Sequence, residues 1–454
     1  MKKFLVIIAV LALTMQGFLF SKPQPAEASE KLFPPVSAGG RAEVTMDGSI
    51  EILMRSFKNT NDWNDAKTSS GDYQNTYERI RIGVNAKNEG VKGRIQMETD
   101  WDEWGNGATG LTTGITTTAT PNPGFETRPT NNFYVREGWL DFNLGLGTAH
   151  VKVGRQFLQL GNGWFLRSNK YGSDAWLVGL PGKNTVAFVN IKASEGNSTL
   201  ADDTDAYALL DVFQIDDKNT VGAYIARAYD RRGTWTNNAL TGGGAIKTTL
   251  DNIGLHYSGQ VGPVKLAAEV DVQMGEIEFA GSKVDLEGNQ FVLQASVPMA
   301  ALTINATLAS GSGDDGTTGS KYEGFLPFLD KDPHYTLVYE YQMATAAGIA
   351  TNNKNSGFAN TQAISLGAMY KISKMFTVGA DVWMLSANEK VNRNGGAASD
   401  DLGTEIDVKV NATIADNLTW NTTIGMFKTG DAYKSAAGKA DDVTAIQSSL
   451  SYKF

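Results

Sequence analysis

From residue 43 to the C-terminus, apolar and polar residues alternate in short runs. In "VKLAAEVDVQM", Val264, Leu266, Ala268, Val270, Val272 and Met274 share one face, and Lys265, Glu269, Asp271 and Gln273 share the other. "EIDVKVNATI" sets Ile406, Val408, Val410, Ala412 and Ile414 against Glu405, Asp407, Lys409 and Asn411. "FTVGADVWM" does the same with Phe376, Val378, Ala380, Val382 and Met384. A period of two predicts β-strands, because successive side chains leave a strand on opposite sides. No run carries the 3.6-residue stripe of an amphipathic helix.

Two kinds of connection separate the strands. Tight turns are predicted around Gly90, Lys218, Pro263, Lys374 and Asn417. Long polar loops are predicted over 59–76, 102–132, 230–249, 311–333, 345–360 and 388–402. Alternating short and long connections are the rhythm of a transmembrane antiparallel β-barrel, with turns on the periplasmic side and loops outside. Soluble sandwiches would give more uniform turns and a linker between domains, and no linker is found. Eighteen runs are clear. Two weaker ones, Asp174–Leu180 and Lys321–Phe328, would raise the number to twenty, and the range is sixteen to twenty. Counts from the two ends disagree by one strand near Tyr335, so something between Gly311 and Thr361 is not a simple strand. The expected fold is an all-β barrel of eighteen strands over 43–454.

The N-terminus changes the picture by naming a compartment. Lys2 and Lys3 precede an apolar run from Phe4, and Ala26 and Ala28 form a small-residue cleavage site. This predicts a cleaved signal peptide over 1–28, followed by a periplasmic segment over 29–42. After Phe20 no run approaches the ~20 apolar residues of a spanning helix. The chain has no cysteine, which excludes disulfides, a lipid-modified cysteine, thiolate chemistry and covalent c-type haem. A net charge of −9 argues against a nucleic-acid partner.

The last strand, "AIQSSLSYKF", places Ile446, Leu450, Tyr452 and Phe454 on one face. A closed barrel pairs its last strand with its first, because unpaired backbone groups in hydrocarbon are costly. Leu450, Tyr452 and Phe454 then face lipid, with the two rings at the periplasmic aromatic girdle. In this the chain resembles bacterial outer-membrane proteins generally, and the resemblance implies that the barrel-assembly machinery reads this strand during insertion.

Enzymatic chemistry finds little support. His150, His256 and His334 have no partner at metal-ligand spacing. "GSGDDG" at 311–316 fits G-x-G-x-x-G formally, but no helix follows and two aspartates would repel a pyrophosphate. There is no G-x-S-x-G. No cofactor is implied. The acidic pairs at 202–203, 314–315, 400–401 and 441–442 read as solvated loop charges, with divalent cations bridging lipopolysaccharide as the alternative.

The polar strand faces say more. If Ile80, Ile82 and Val84 face lipid, Arg79 and Arg81 turn inward; if Val91, Ile95 and Met97 face lipid, Lys92, Arg94, Glu98 and Asp100 turn inward. A lipid-facing Arg or Lys at the midplane costs about 2–4 kcal/mol, which favours this assignment. Such a wall either attracts anions or is a salt-bridged lining that stiffens the lumen. A second candidate follows Gly161 and Gly163, where Trp164, Arg167, Lys170, Tyr171 and Asp174 would line a loop folded into the lumen as a constriction. As an external loop, the same residues would instead pack on the barrel rim.

"VGRQFLQLGNGW", with "REGWLDFN" before it and "ASGSGDDGTTGSKYEGFLPF" later, is similar to the alginate-export family and related large selective porins. The resemblance rests on Gly154, Arg155 and Gln156, then Ser310 to Asp315, then Phe325 to Phe328. It implies eighteen strands and, as in the alginate exporter, an arginine-rich pore. Arg155 lies out of phase with Lys152 and Gln156, so its direction calls for a bulge.

Together these features predict a porin: a water-filled channel in the outer membrane, among lipid and lipopolysaccharide, passing small hydrophilic solutes and favouring anions. Many porins are trimers, and nothing in the sequence marks a subunit interface. The alternatives are a sheath around an electron-transfer partner, a polysaccharide export pore and an outer-membrane hydrolase.

Overall fold

The computed structural model describes residues 36–38, 42–60, 72–99, 102–103, 133–196, 202–231, 245–316, 319–328, 335–340 and 357–454. The expected signal peptide, Asp100 and His334 lie outside them.

Among the described residues, eighteen long strands form one closed antiparallel barrel. They are β1 (Ala42–Lys58), β2 (Tyr73–Asn88), β3 (Val91–Thr99), β4 (Phe133–Asn143), β5 (His150–Gln159) and β6 (Arg167–Leu180). Next come β7 (Asn184–Ser194), β8 (Thr204–Gln214), β9 (Thr220–Asp230), β10 (Ala245–Val261), β11 (Val264–Phe279) and β12 (Asn289–Met299). The last six are β13 (Leu302–Gly311), β14 (Thr361–Lys371), β15 (Phe376–Val391), β16 (Ser399–Ala415), β17 (Leu418–Thr429) and β18 (Val443–Lys453). Each strand pairs with the next in sequence, and β18 pairs with β1 from Ser49↔Lys453 to Lys58↔Thr444.

At that seam the terminal residue is held twice. Gly48 donates its N–H to the Phe454 carbonyl at 2.8 Å, and Phe454 donates to the Gly48 carbonyl at 3.0 Å. The Phe454 ring lies where a side chain at position 48 would be: a Cβ there would stand 2.5 Å from Phe454 Cζ and 2.7 Å from the Arg81 carbonyl oxygen. Glycine is therefore required for the last ring to close the barrel.

Alternation sorts the side chains as predicted. Ile50, Ile95, Leu255, Val272, Ile364, Met384 and Ile446 are exposed on the outer face, where they meet lipid. Their neighbours point into the lumen. The short turns fall at Gly90, Lys218, Pro263, Lys374 and Asn417, with others at 144–149, 181–183 and 300–301.

Two expectations are corrected. The weaker run Asp174–Leu180 is a barrel strand, the second half of β6, and the loop expected before it is corrected, because the strand already begins at Arg167. Lys321–Phe328 contributes no barrel strand: Lys321–Tyr322 pairs in parallel with Asp285–Leu286, and the rest enters the lumen. Tyr335–Glu340 is likewise a buried turn inside the barrel, which accounts for the miscount near Tyr335. β13 pairs directly with β14, so 312–360 lies between neighbouring strands.

Candidate functional site

The lumen has two unlike sides. On one, three segments fold inward and pack on the wall. The first is the link between β5 and β6, closed by Leu160 N–H to the Leu166 carbonyl at 3.1 Å. Asn162 reaches across the lumen and donates to the Ala268 carbonyl at 2.8 Å, while Glu269 accepts the Asn162 N–H at 2.5 Å. Val189, Ile191, Ala206, Ala208, Ala226 and Ala228, inward on β7, β8 and β9, are small or aliphatic and leave a bed for Phe165 and Leu166.

The second segment, Phe325–Phe328, lies against the first. Phe328 donates its N–H to the Phe165 carbonyl at 2.7 Å, and Phe165 stacks on Phe328 and Tyr224. The Gln273 amide binds both backbone groups of Leu326, at 2.8 and 2.9 Å. The third segment, Tyr335–Glu340, is held by wall carboxylates. Glu405 accepts the N–H groups of Val338 at 2.6 Å and Tyr339 at 2.7 Å. Asp407 accepts that of Leu337 at 3.3 Å, and Lys409 binds Asp381 beside them at 2.9 Å. Trp164 and Phe358, with ring centroids 4.9 Å apart, join the segments into one aromatic mass.

The other side, β1 to β5, carries the charges. Arg79 binds Glu51 at 2.5 Å and lies 3.7 Å from Glu98; Arg81 also pairs with Glu98, and Arg136 approaches it at 3.2 Å. The Tyr134 hydroxyl donates to the same carboxylate. Three guanidinium groups thus surround Glu98, whose side chain is 2% exposed against 20% for Arg81. Towards the periplasm a second cluster is balanced: Arg94 binds Asp47 at 2.6 Å and Glu137 at 2.9 Å. Lys152 lies 4.1 Å over the Trp139 ring, and Trp139 donates to Glu137 at 3.0 Å.

Arg79, Arg81, Arg94 and Glu98 therefore come together on one lumen wall. Lys92 stands exposed at the periplasmic turn, across from Asp141 and Lys87, away from the cluster. In the second candidate group, only Trp164 belongs to an inward loop. Arg167, Lys170, Tyr171 and Asp174 are strand residues of β6. Tyr171 packs on Tyr134 at 5.7 Å, Lys170 lies over the Tyr171 ring at 5.6 Å, and the Asn169 and Lys170 carbonyls accept from Arg136. Asp174 faces outward and pairs with Arg155 at 2.7 Å, so it lines no constriction. No bulge turns Arg155 inward: the register is unbroken from Val153 to Gln156, so Arg155 shares the outward face of Val153, and the strand's irregularity falls between Gln156 and Leu158. Leu450 and Tyr452 face outward beside Phe454, whose ring is 6.0 Å from that of Tyr452.

Sequence reasoning did not find Arg136, Lys152, Tyr134, Asp47, Glu51 or Glu137. Glu51 was within reach, because it shares the polar face of β1 and pairs opposite Arg79. Arg136 was not: alternation counted back from inward Trp139 and Glu137 would turn it outward, and only the register shift between Gln96 and Met97 lets it face inward beside Glu137.

His150 pairs with Asp141 at 3.0 Å, and His256 lies beside Tyr224. Among the described residues no group of three or more His, Asp or Glu is arranged to hold a metal ion. Of the acidic pairs, Asp203 binds Lys192 at 2.5 Å and the Gly196 N–H at 3.0 Å, while Asp442 accepts from Thr429 N–H at 3.3 Å.

An eighteen-strand barrel with an apolar belt, a charged lumen wall and inward-folded loops has the architecture of an outer-membrane channel. A profile of the family described as Alginate export matches residues 94–446. The chain belongs to the alginate-export family. A search among curated proteins finds no match. Among solved structures it is similar to OccK9 (OpdG) of Pseudomonas aeruginosa, at 16% identity and TM-score 0.55, over 90% of this chain and 98% of that one. It is also similar to OccK2 (OpdF) of the same organism, solved with glucuronate, at 10% identity and TM-score 0.54, with the same shares covered. A third is OpdK, solved with vanillate, at 11% identity and TM-score 0.52, again over 90% and 98%. At these identities the likeness speaks for the fold.

Proposed function

We propose that the protein is a passive outer-membrane channel for small hydrophilic solutes, and that the wall around Arg79, Arg81 and Arg136 gives it a preference for carboxylates. The observation that carries this is the burial order at Glu98. The Glu98 carboxylate is sealed beneath three guanidinium groups, and with Glu51 beside Arg79 at the lumen surface the cluster counts three cations against two anions, a net positive charge. Guanidinium offers paired N–H donors in the fork geometry that matches a carboxylate. Glucuronate and vanillate, the ligands of OccK2 and OpdK, are both carboxylates. The balanced cluster at Arg94 acts differently, stiffening the wall below. The mechanism is steric and electrostatic selection with no chemistry on the solute.

A polysaccharide-export pore would use the same carboxylate chemistry. The three segments fixed across one side of the lumen favour a small solute over a polymer, and they also argue against a sheath enclosing a partner protein. Insertion would use the Tyr452–Phe454 end, in keeping with reading by the barrel-assembly machinery.

Flux into proteoliposomes tests the reading. Glucuronate is expected to enter faster than glucose, and Arg79→Gln with Arg81→Gln is expected to level the two. Equal entry through the unmodified protein would overturn it.

A further inference from the structure

The barrel wall is split beside the arginine cluster. β4 and β5 pair from Asn143↔His150 only as far as Gly138↔Arg155, and among the described residues no ladder joins them on the extracellular side of that rung. Val135 and Phe133, beyond the rung, are exposed like the other lipid-facing side chains, so the split lies in the span that meets hydrocarbon. Unpaired backbone is costly there. A bulge of β6 fills the split. Its pairing with β5 passes from Gln156↔Ser173 to Leu158↔Ser168, which sets four residues, Asn169 to Gly172, against the single residue Phe157. Ser168 and Ser173 close the base of the bulge, with their hydroxyl oxygens 2.7 Å apart. Gly172 lies against β4 with φ +68°, and a Cβ on it would stand 2.4 Å from the Arg136 carbonyl oxygen.

Arg136 ties this bulge down. Its Nη2 donates to the Asn169 carbonyl at 2.6 Å and its Nε to the Lys170 carbonyl at 2.8 Å. Its Nη1 donates to Gln96 Oε1 at 2.7 Å, and its guanidinium lies 4.3 Å over the ring of Phe157, the residue opposite the bulge. All three nitrogens are thus engaged by the protein. From the bulge the contacts run on to the site. Tyr171 packs on Tyr134 at 5.7 Å, the Tyr134 hydroxyl donates to Glu98, and Glu98 is the anion against which Arg79 and Arg81 rest. We propose that Arg136 is a positioning residue: by strapping the β6 bulge to β4 it fixes Tyr171, Tyr134 and Glu98, and so orients Arg79 and Arg81 for a carboxylate. The inference rests on the carboxylate preference proposed above. A planar carboxylate needs N–H donors held in a fixed fork, which the packing and hydrogen bonds around them supply. Chloride is spherical, makes no such demand, and answers to the net charge of the wall.

Charge and geometry separate in Arg136→Lys, which keeps the cation but loses the planar fork that bridges two carbonyls and Gln96. The full-length protein in planar bilayers gives two reversal potentials, one in a potassium chloride gradient and one with potassium glucuronate facing potassium chloride. The expected result is a roughly tenfold fall in the glucuronate-to-chloride permeability ratio, the size of one lost charge-assisted hydrogen bond, with the chloride-to-potassium ratio unchanged. Both ratios falling together, or neither falling, would overturn the proposal. Tyr171→Leu leaves Arg136 in place and breaks the same chain of contacts, so it is expected to give the same fall; an unchanged glucuronate-to-chloride ratio in it would contradict the proposal. Glucuronate entering no faster than glucose through the unmodified protein would overturn the carboxylate reading and this inference with it. A preference kept by Arg136→Lys and lost in Arg79→Gln with Arg81→Gln would overturn this inference alone.

Discussion

Replacing Glu405 by alanine isolates the force that holds Tyr335–Glu340 inside the barrel. Glu405 is fully buried and accepts two backbone N–H groups from that segment, from Val338 at 2.6 Å and Tyr339 at 2.7 Å. Hydrogen bonds to a charged group contribute about 1.5–3 kcal/mol each, so the two together are worth about 3–6 kcal/mol. Part of this is offset, because the buried carboxylate has itself lost its hydration. Asp407 keeps its bond to Leu337 N–H in the variant. A net loss of about 3 kcal/mol is expected, which makes opening of the segment roughly 100-fold more frequent. Native-state hydrogen exchange reads this directly, since it reports local opening free energies. Amides of Val338 and Tyr339 are expected to exchange roughly 100-fold faster, while those of β16 and β17 do not change. Unaltered exchange at the two amides, or an equal loss of protection throughout the barrel, would refute the reasoning.

Two more predictions follow from the wall and the seam. Glu98→Gln removes one negative charge from beneath Arg79, Arg81 and Arg136. At ~10 Å and an effective dielectric constant of ~40 this is about 0.8 kcal/mol for each ion, with opposite signs for chloride and potassium, so a roughly 15-fold rise in the chloride-to-potassium permeability ratio is expected, measured by reversal potential. Gly48→Val drives a branched side chain into the Phe454 ring and the Arg81 carbonyl. It is expected to lower the fraction of folded, heat-modifiable barrel on unheated gels, whereas Gly90→Ala, at an open turn, lowers it less.

Much of the barrel was legible because lipid on one side and water on the other force a period of two on every strand. The turns at Gly90 and Pro263 and the even-numbered outer face of β18 follow from that rule alone. The rule fails wherever the solvent on one side is the protein itself. "KYEGFLPF" reads as a strand because Tyr322, Phe325 and Phe328 are apolar, yet they are buried against Phe165 and the β7–β9 wall, not lipid. Bulges hide in the same way. The shift beside Gln96 lets Arg136 and Glu137, adjacent in sequence, both face inward. The site was half visible: Arg79, Arg81, Arg94 and Glu98 share a legible face, but their partners Glu51, Asp47 and Glu137 depend on pairing between strands that a linear reading does not rank.

Single-channel recording of the purified protein in a planar bilayer, under a potassium chloride gradient, tests the central claim most directly. Discrete openings, a reversal potential on the chloride side, and loss of that preference in Arg79→Gln with Arg81→Gln are the predicted result. A silent bilayer, or a cation-preferring channel indifferent to the two substitutions, would contradict it.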